Sequence, residues 1–401
     1  MSRSTQKPVW VQTATNVNMI LNFGRNLTEI IKESDVDYHV IYSKEQNKSN
    51  EQVIADELKN LGATLHVIPM KQQLGLKSLF GLLVSFVKIF FLLRRLKPDV
   101  FYTRGTLMGM VGRPAAWMAG VKGIFHHQDD FYHREETLSP FKKKFYRKVE
   151  TWLARITTRL FFVSQTIYDE ALTMGIPESK CVNVGHDLHP IFVEHLDRPS
   201  DLADSIRETV RRPGDEFIVG VLGRIENFKG IDTVLAVAKR LATQEPRIQF
   251  FIRGIGSRYA QVAAQIEREG LSKTVRLTKE YFPTEAMPDL FRSFDVFFLP
   301  TRREGFGMVF AEAMSMGVPV VCPRIYPVVE VVPEDMGYLV DAEDVEGYAS
   351  AIVRLFEDSE GRARLGKKAR HYAVDRWAGR KSAQQVFDEL SDSGGDPSNV
   401  V

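Results

Sequence analysis

The stretch VFFLPTRREGFGMVFAEAMSMGVPVVC, residues 296 to 322, reads as strand, loop, helix and strand. A short apolar run ends at Pro300, Gly305 and Gly307 break the loop, helix-forming residues continue to Gly317, and a second apolar run follows. Two such runs joined through a helix form a crossover unit, which lays both strands parallel in one sheet. The unit also places one carboxylate, Glu304, in the loop and another, Glu312, inside the helix. The glycines permit a tight turn and close backbone approach. The helix start offers unpaired N–H groups and partial positive charge, which suit a phosphate. Glu304 can accept hydrogen bonds from vicinal hydroxyls, and Glu312 can take a ribose diol in the same way. A sugar and a ribose flanking a diphosphate fit all three features.

Outward from this unit the same alternation repeats. Strands are expected at 9–12, 38–43, 64–69, 99–104, 123–127 and 159–164, and again at 217–224, 248–254, 275–279, 296–300, 319–322 and 337–340, with helical patterns between them. The pattern breaks at the polar, proline-bearing segment EHLDRPSDLADSIRETVRRPGDE, 194–216, which reads as a linker with a short helix. The fold class that follows is α/β, with two doubly wound domains facing across a cleft, and ligands in such folds bind outside the carboxyl ends of the strands.

Length and composition agree with this. A chain of 401 residues exceeds one ordinary core. With 44% hydrophobic and 26% charged residues it is globular. Lys+Arg 53 against Asp+Glu 51 gives no bulk charge for nucleic acid, but residues 1–195 carry 25 basic and 19 acidic side chains while the remainder carries 28 and 32. Cys181 and Cys322 stand in apolar runs far apart, as expected of reduced, buried thiols. The start MSRSTQKPVWVQTATNVNMIL lacks the features of a signal peptide, so a cytoplasmic enzyme is expected.

The segment EGFGMVFAEAMSMGVPVV resembles the E-x7-E region of retaining glycosyltransferases of the two-domain GT-B type, family 4, bacterial polysaccharide type. GVLGRIENFKGIDTVLAVAKRL (220–241), FFIRGIGS (250–257), AMPDLFRSFDVFFLPTRREGFG (286–307) and VVEVVPEDMGYLVD (328–341) are similar to that family's elements in the same order. The resemblance implies two Rossmann-like domains: an N-terminal acceptor-side domain at 1–195, a linker at 196–216 and a nucleotide-sugar-binding domain at 217–372. A C-terminal helix at 373–390 is expected to pack back toward the first domain, before a flexible tail at 391–401. It implies Arg224 and Lys229 as clamps on the diphosphate, Glu312 on the ribose, and Glu304 on the donor sugar. The backbone of Phe306, Gly307 and Met308 lies around sugar and phosphate, and Gly223, Gly254 and Lys279 line the donor site. A basic pair at the mouth of a strand-loop-helix turn also suits a leaving group's growing charge on physical grounds. Donor and acceptor are then a nucleotide sugar, UDP foremost, and a saccharide or lipid-linked acceptor.

Departures from the family pattern are visible. Lys279 replaces a glycine, and Tyr326 and Pro327 stand where paired glycines are usual. The first loop is QTATNVNM rather than glycine-rich, leaving Thr13, Thr15 and Asn16 as polar candidates on the acceptor side, with Asp129. In the run FHHQDDFYHREE, 125–136, the family's donor-facing histidine falls on His127 by register, with His126 and His133 as rivals. Since His126 and His127 point to opposite faces of a strand, a zinc site is a poor reading. No metal is expected to be required and no cofactor beyond the co-substrate; Asp35-Val36-Asp37 reads as a turn.

Two stretches exceed these needs. LGLKSLFGLLVSFVKIFFLLRRLKP, 74–98, is too interrupted by charge to span a bilayer. It reads equally as a helix buried on the sheet or one lying in an anionic membrane surface. SPFKKKFYRKVETWLARITTR, 139–159, alternates basic and aromatic residues and favours the membrane, which predicts a peripheral enzyme at the inner face of the cell membrane. Nucleic-acid binding by the second stretch is the weaker option. A sugar-nucleotide epimerase, a phosphorylase or a non-catalytic scaffold could share the architecture; intact Arg224, Lys229, Glu304 and Glu312 argue for transfer.

Overall fold

The computed structural model describes residues 7–15, 17–43, 51–69 and 76–392. These form two compact units, one of Met1–His189 with Arg380–Val401 and one of Pro190–Gly379. The chain thus passes between units at His189–Pro190. The segment read as a linker contains helix Ala203–Val210, whose Ile206 and Val210 are buried at helical spacing in the second unit.

The first unit is a parallel sheet in the order β3-β2-β1-β4-β5-β6-β7. Its strands are β1 (Val9–Ala14), β2 (Asp37–Tyr42), β3 (Thr64–Val67), β4 (Val100–Arg104), β5 (Gly123–Gln128), β6 (Arg159–Phe162) and β7 (Cys181–Asn183). Six of the seven lie where the apolar runs predict them. The seventh, β7, is three residues long and half-buried, too short to stand out from its surroundings. Cys181 within it is half-buried, a departure from the buried thiol expected of an apolar run, because an edge strand has a neighbour on one side only. Helices Leu76–Leu96 and Thr106–Ala119 cover one face through Ile89, Leu93, Met108 and Val111 against Val11, Phe101 and Ile124. The other face receives helix Val17–Glu33 and, from the far end of the chain, helix Lys381–Asp392. Ala383, Val386 and Leu390 of the latter are buried. Asp187 caps that helix, accepting from the backbone N–H groups of Ser382 at 3.0 Å and Ala383 at 2.9 Å.

The second unit is a six-stranded parallel sheet, β10-β9-β8-β11-β12-β13. Here β8 is Phe217–Leu222, β9 Ile248–Arg253, β10 Val275–Thr278, β11 Val296–Phe298, β12 Val320–Pro323 and β13 Tyr338–Val340. In each unit the strand order reverses at its first strand, between β1 and β4 and between β8 and β11. Such switch points leave a crevice at the carboxyl ends of the strands. The loops that follow these four strands therefore border the crevice of each unit.

Candidate functional site

In the second unit, β8 runs out through Gly223 and exposed Arg224 into the short turn Asn227–Lys229 and helix Ile231–Gln244. Gly230 has φ +68, and a Cβ there would fall 1.9 Å from the Pro300 carbonyl oxygen. A Cβ on Gly254 would fall 1.8 Å from the oxygen of Gly223. Both positions need glycine because they bring the exits of β8, β9 and β11 within backbone contact.

The loop after β11 is stitched to this turn. Arg302 donates to both carboxylate oxygens of Asp232 at 2.9 and 2.8 Å and to the Asn227 carbonyl at 2.8 Å, while its own N–H donates to the Phe228 carbonyl at 2.7 Å. Lys229 Nζ consequently lies 2.5 Å from Glu304 Oε1, with side-chain exposures of 13% and 11%. Phe228 gathers cations around its ring: Arg224 Cζ at 4.8 Å, Arg303 Cζ at 5.1 Å and Lys229 Nζ at 5.5 Å from its centroid. Gly307, with φ +100, precedes helix Met308–Ser315, whose first N–H groups are free of intrahelical partners. On that helix Glu312 is half-buried, and burial alone pushes its carboxyl up to about 7. Among the described residues no ion pair holds it charged. A carboxylate so placed gains most from hydrogen bonds that a ligand brings. Lys279, at the end of β10, lies 5.9 Å from the Tyr259 ring centroid.

In the first unit the loops after β1 and β4 meet. Gly105 has φ +83, and a Cβ there would approach the Thr15 hydroxyl at 3.4 Å. Asn16 lies outside the described residues. Thr13 is fully buried. Asp129 receives Arg104 on both oxygens, Nε at 3.1 to 3.2 Å and one terminal nitrogen at 2.6 Å. Burial would raise the Asp129 carboxyl, but the Arg104 charge outweighs it and holds the group well below the usual carboxylate range.

The parity of β5 separates His126 from His127, and His133 lies beyond the strand in the turn Tyr132–Arg134. His126 pairs in register with Leu160 and faces the helices: a Cβ on Gly109 would touch its ring at 2.5 Å, and both its nitrogens have partners, Thr103 at 2.8 Å and Gln128 at 3.0 Å. His133 is bound to Glu170 at 2.6 Å. His127 turns to the other face, with Nδ1 2.7 Å from the Tyr102 hydroxyl and Nε2 buried without a partner among the described residues. Burial and then Arg104 hold its imidazole well below the usual histidine range.

Among the described residues no group of three or more His, Cys, Asp or Glu side chains is arranged to hold a metal ion. Asp35 is ion-paired with Lys7 at 2.7 Å and Asp37 opens β2.

Residues 203–372 match the family model for glycosyl transferases group 1, and residues 25–185 match that of a glycosyl transferase 4-like domain. The chain belongs to the group 1 glycosyltransferases. It is 24% identical over 379 residues, 91% of each chain, to the capsular polysaccharide biosynthesis glycosyltransferase CapM of Staphylococcus aureus. It is 25% identical to UDP-Gal:alpha-D-GlcNAc-diphosphoundecaprenol alpha-1,3-galactosyltransferase of Escherichia coli, over 70% of this chain and 72% of that one. Anabaena HepE, solved in complex with UDP and glucose, superposes with a TM-score of 0.77 at 19% identity, covering 96% of this glycosyltransferase and all of HepE. The last likeness establishes the GT-B fold, two Rossmann-like domains. Phe228 and Arg303 did not stand out in the sequence of this glycosyltransferase; an aromatic followed by lysine in a turn is a signal only once the arginines are known to converge on it.

Proposed function

We propose that this glycosyltransferase is a retaining enzyme that moves a hexose-type sugar from a nucleoside diphosphate, UDP foremost, to a saccharide or lipid-linked acceptor in cell-surface polysaccharide or glycolipid synthesis. The observation that carries this reading is Glu312: a half-buried carboxyl, in no ion pair among the described residues, on the helix that starts beside Lys229 and Glu304. A ribose diol there places the diphosphate at the helix N-terminus, within reach of Arg224 and Lys229. The UDP and glucose of the HepE complex and the UDP-Gal in the name of the E. coli relative support the same choice of donor.

On this reading Arg224, Lys229 and the N–H groups after Gly307 stabilise charge that grows as the bond from anomeric carbon to phosphate oxygen breaks. The acceptor oxygen attacks from the face the diphosphate leaves and passes its proton to the departing phosphate oxygen. Glu304 and the backbone of Phe306, Gly307 and Met308 hold the sugar, Gly223, Gly254 and Lys279 line the donor site, and His127 is the histidine assigned to the donor sugar. Thr15 and Asp129 belong to the acceptor side. Positive protein groups serve where a metal might, so turnover is expected to survive chelation with EDTA.

The enzyme acts as a cytoplasmic, peripheral protein on an anionic membrane surface. Among the described residues no helix is long and apolar enough to cross a membrane. Helix Leu76–Leu96 nevertheless keeps Phe80, Leu83, Val87 and Phe91 exposed on the side opposite Ile89 and Leu93, with Lys88, Arg94 and Arg95 beside them. Helix Pro140–Arg155 adds Phe141 and Phe145 between lysines. Aromatic side chains flanked by basic ones suit the headgroup boundary of anionic lipid.

A panel of nucleotide sugars scored by thermal unfolding tests the donor. A true donor at 100 times its dissociation constant adds about 2.7 kcal/mol of stability. Product anomers read by NMR then decide retention. No stabilisation by any uridine diphosphate sugar would remove UDP from the account.

A further inference from the structure

We infer that Tyr102 acts as a positioning residue that keeps the ring proton of His127 on Nε2, so that His127 presents a hydrogen-bond donor and takes an acceptor oxygen of the bound sugar or phosphate. The inference rests on the reading that His127 meets the donor, and it deepens that reading by assigning the proton.

One buried contact fixes where the protons lie. The Tyr102 hydroxyl and His127 Nδ1 are 2.7 Å apart, and Tyr102 and His127 are 3% and 5% exposed. Among the described residues this contact is the only partner of that hydroxyl. A buried O–H left without an acceptor is costly. If Nδ1 carried the proton, the imidazole would donate to the phenol oxygen, and the phenol proton would have no acceptor; His127 Nε2 would also be a bare acceptor. With Tyr102 donating to Nδ1, the phenol proton and Nδ1 are both satisfied, and the ring proton moves to Nε2, the one donor left over for a ligand oxygen.

The surroundings keep the ring neutral, as this requires. Arg104, 2% exposed, stands on the same side with its charge balanced by Asp129, and His186 Nε2 lies 3.5 Å from an Arg104 nitrogen. A second positive charge on His127 would face the buried Arg104 guanidinium. Burial pushes the Tyr102 hydroxyl up, so it stays a phenol and keeps the proton it donates. A ring locked in this tautomer has no lone pair on Nε2. It therefore cannot act there as a base toward an acceptor hydroxyl, and its contribution is to hold an oxygen in place.

The test is a nitrogen-15 ring spectrum of the histidine-labelled full chain, with His127 assigned by its loss in His127→Gln. The expected wild-type pattern is a protonated Nε2 and a bare Nδ1. Tyr102→Phe keeps the aromatic packing and should shift the ring toward a mixture of tautomers. It should also lower kcat/KM by about 3- to 10-fold, the loss of one hydrogen bond, while Tyr102→Trp gives no rescue. A wild-type ring protonated on Nδ1, or a Tyr102→Phe ring unchanged from wild type, overturns the inference. If the tautomer behaves as expected but His127→Ala transfers sugar at the full rate, Tyr102 keeps its role toward the ring, and the placement of His127 at the donor fails instead.

Discussion

Lys229 and Glu304 share a contact of 2.5 Å although 75 positions separate them, and both side chains are almost nine-tenths buried. Each is assigned to a different part of the donor, so binding has to divide a pair that the free protein keeps together. Lys229→Met and Glu304→Gln each break this contact and should each destabilise. The double variant should be more stable than the sum of the two, by a coupling of about 1 to 3 kcal/mol. Activity should behave differently. Lys229→Met should lose about 10²- to 10³-fold in kcat, and the double variant should not regain it. Urea melts and initial rates on the same four proteins check both statements, and strict additivity in the melts removes the coupling.

Arg224 is exposed and held by the face of Phe228 rather than by an acid. Arg224→Ala should therefore change stability by no more than about 0.5 kcal/mol. Its rate should fall about 10²- to 10³-fold, because the guanidinium acts on charge that appears only as the diphosphate departs. A variant that turns over at the wild-type rate strikes Arg224 from the clamp.

Glu312 makes stability depend on pH in a definite direction. Its carboxyl is raised in the fold to about 7, against about 4.3 in the unfolded chain. Between these values the folded state binds a proton that the unfolded state has lost. Stability falls as pH rises from about 4.3 to 7 and is level in this respect above 7. Glu312→Gln abolishes that slope and should be the more stable protein at pH 8, by up to about 3 kcal/mol. Donor binding should follow the opposite trend in the wild type: a diol donates to the ionised form, so affinity rises through pH 7, and in Glu312→Gln it does not. Parallel pH curves for the two proteins would contradict the assignment.

Much of this site could be read before any coordinates, and the parts that could not share a cause. Gly230, Gly254 and Gly307 stand in loops after apolar runs, and a glycine there signals a turn or a close approach whatever the fold. Parity shows that His126 and His127 face opposite sides of β5. Which of them meets helix Thr106–Ala119 is fixed only by the packing of that helix on β5, a long-range fact. The bonds from Arg104 to Asp129, from Asp187 to the last helix and from Arg302 to Asp232 join residues with no common period, and nothing local announces them. Strand β7 is hidden by its brevity.

Gly254→Ala tests the close approach itself. Its Cβ would sit 1.8 Å from the Gly223 oxygen, a backbone atom that cannot swing away. Gly81→Ala, where a Cβ meets nothing within 4 Å, is the control inside a helix. The first should destabilise by at least about 1 to 3 kcal/mol. The second should be neutral or stabilising by up to about 1 kcal/mol. Equal melting temperatures for the two variants would show that the exits of β8 and β9 have slack.

Recovery with vesicles tests the membrane surface. Binding should require anionic lipid and weaken as salt rises, since charges on the two helices are screened within about 8 Å at physiological ionic strength. Reversal of Lys142, Lys143 and Lys144 to glutamate should release the protein at low salt. Phe80→Ser with Phe91→Ser, at positions 72% and 64% exposed, should weaken binding at every salt concentration. Equal recovery in the supernatant with all lipids and salts would leave a soluble saccharide as the acceptor.

The last helix has a consequence for how the molecule is made. Ala383, Val386 and Leu390 complete an apolar layer begun by Trp10 and Val17, and the carboxylate that caps the helix comes from Asp187. These residues are made only after all of the intervening unit, Pro190–Gly379, which is continuous in the chain and can close while synthesis proceeds. The first unit must wait with part of its core open to water until residues 381–392 have been made. The unit whose strands are made first is therefore the one that finishes folding last, and a transcript cut short before residue 381 would leave it unsealed.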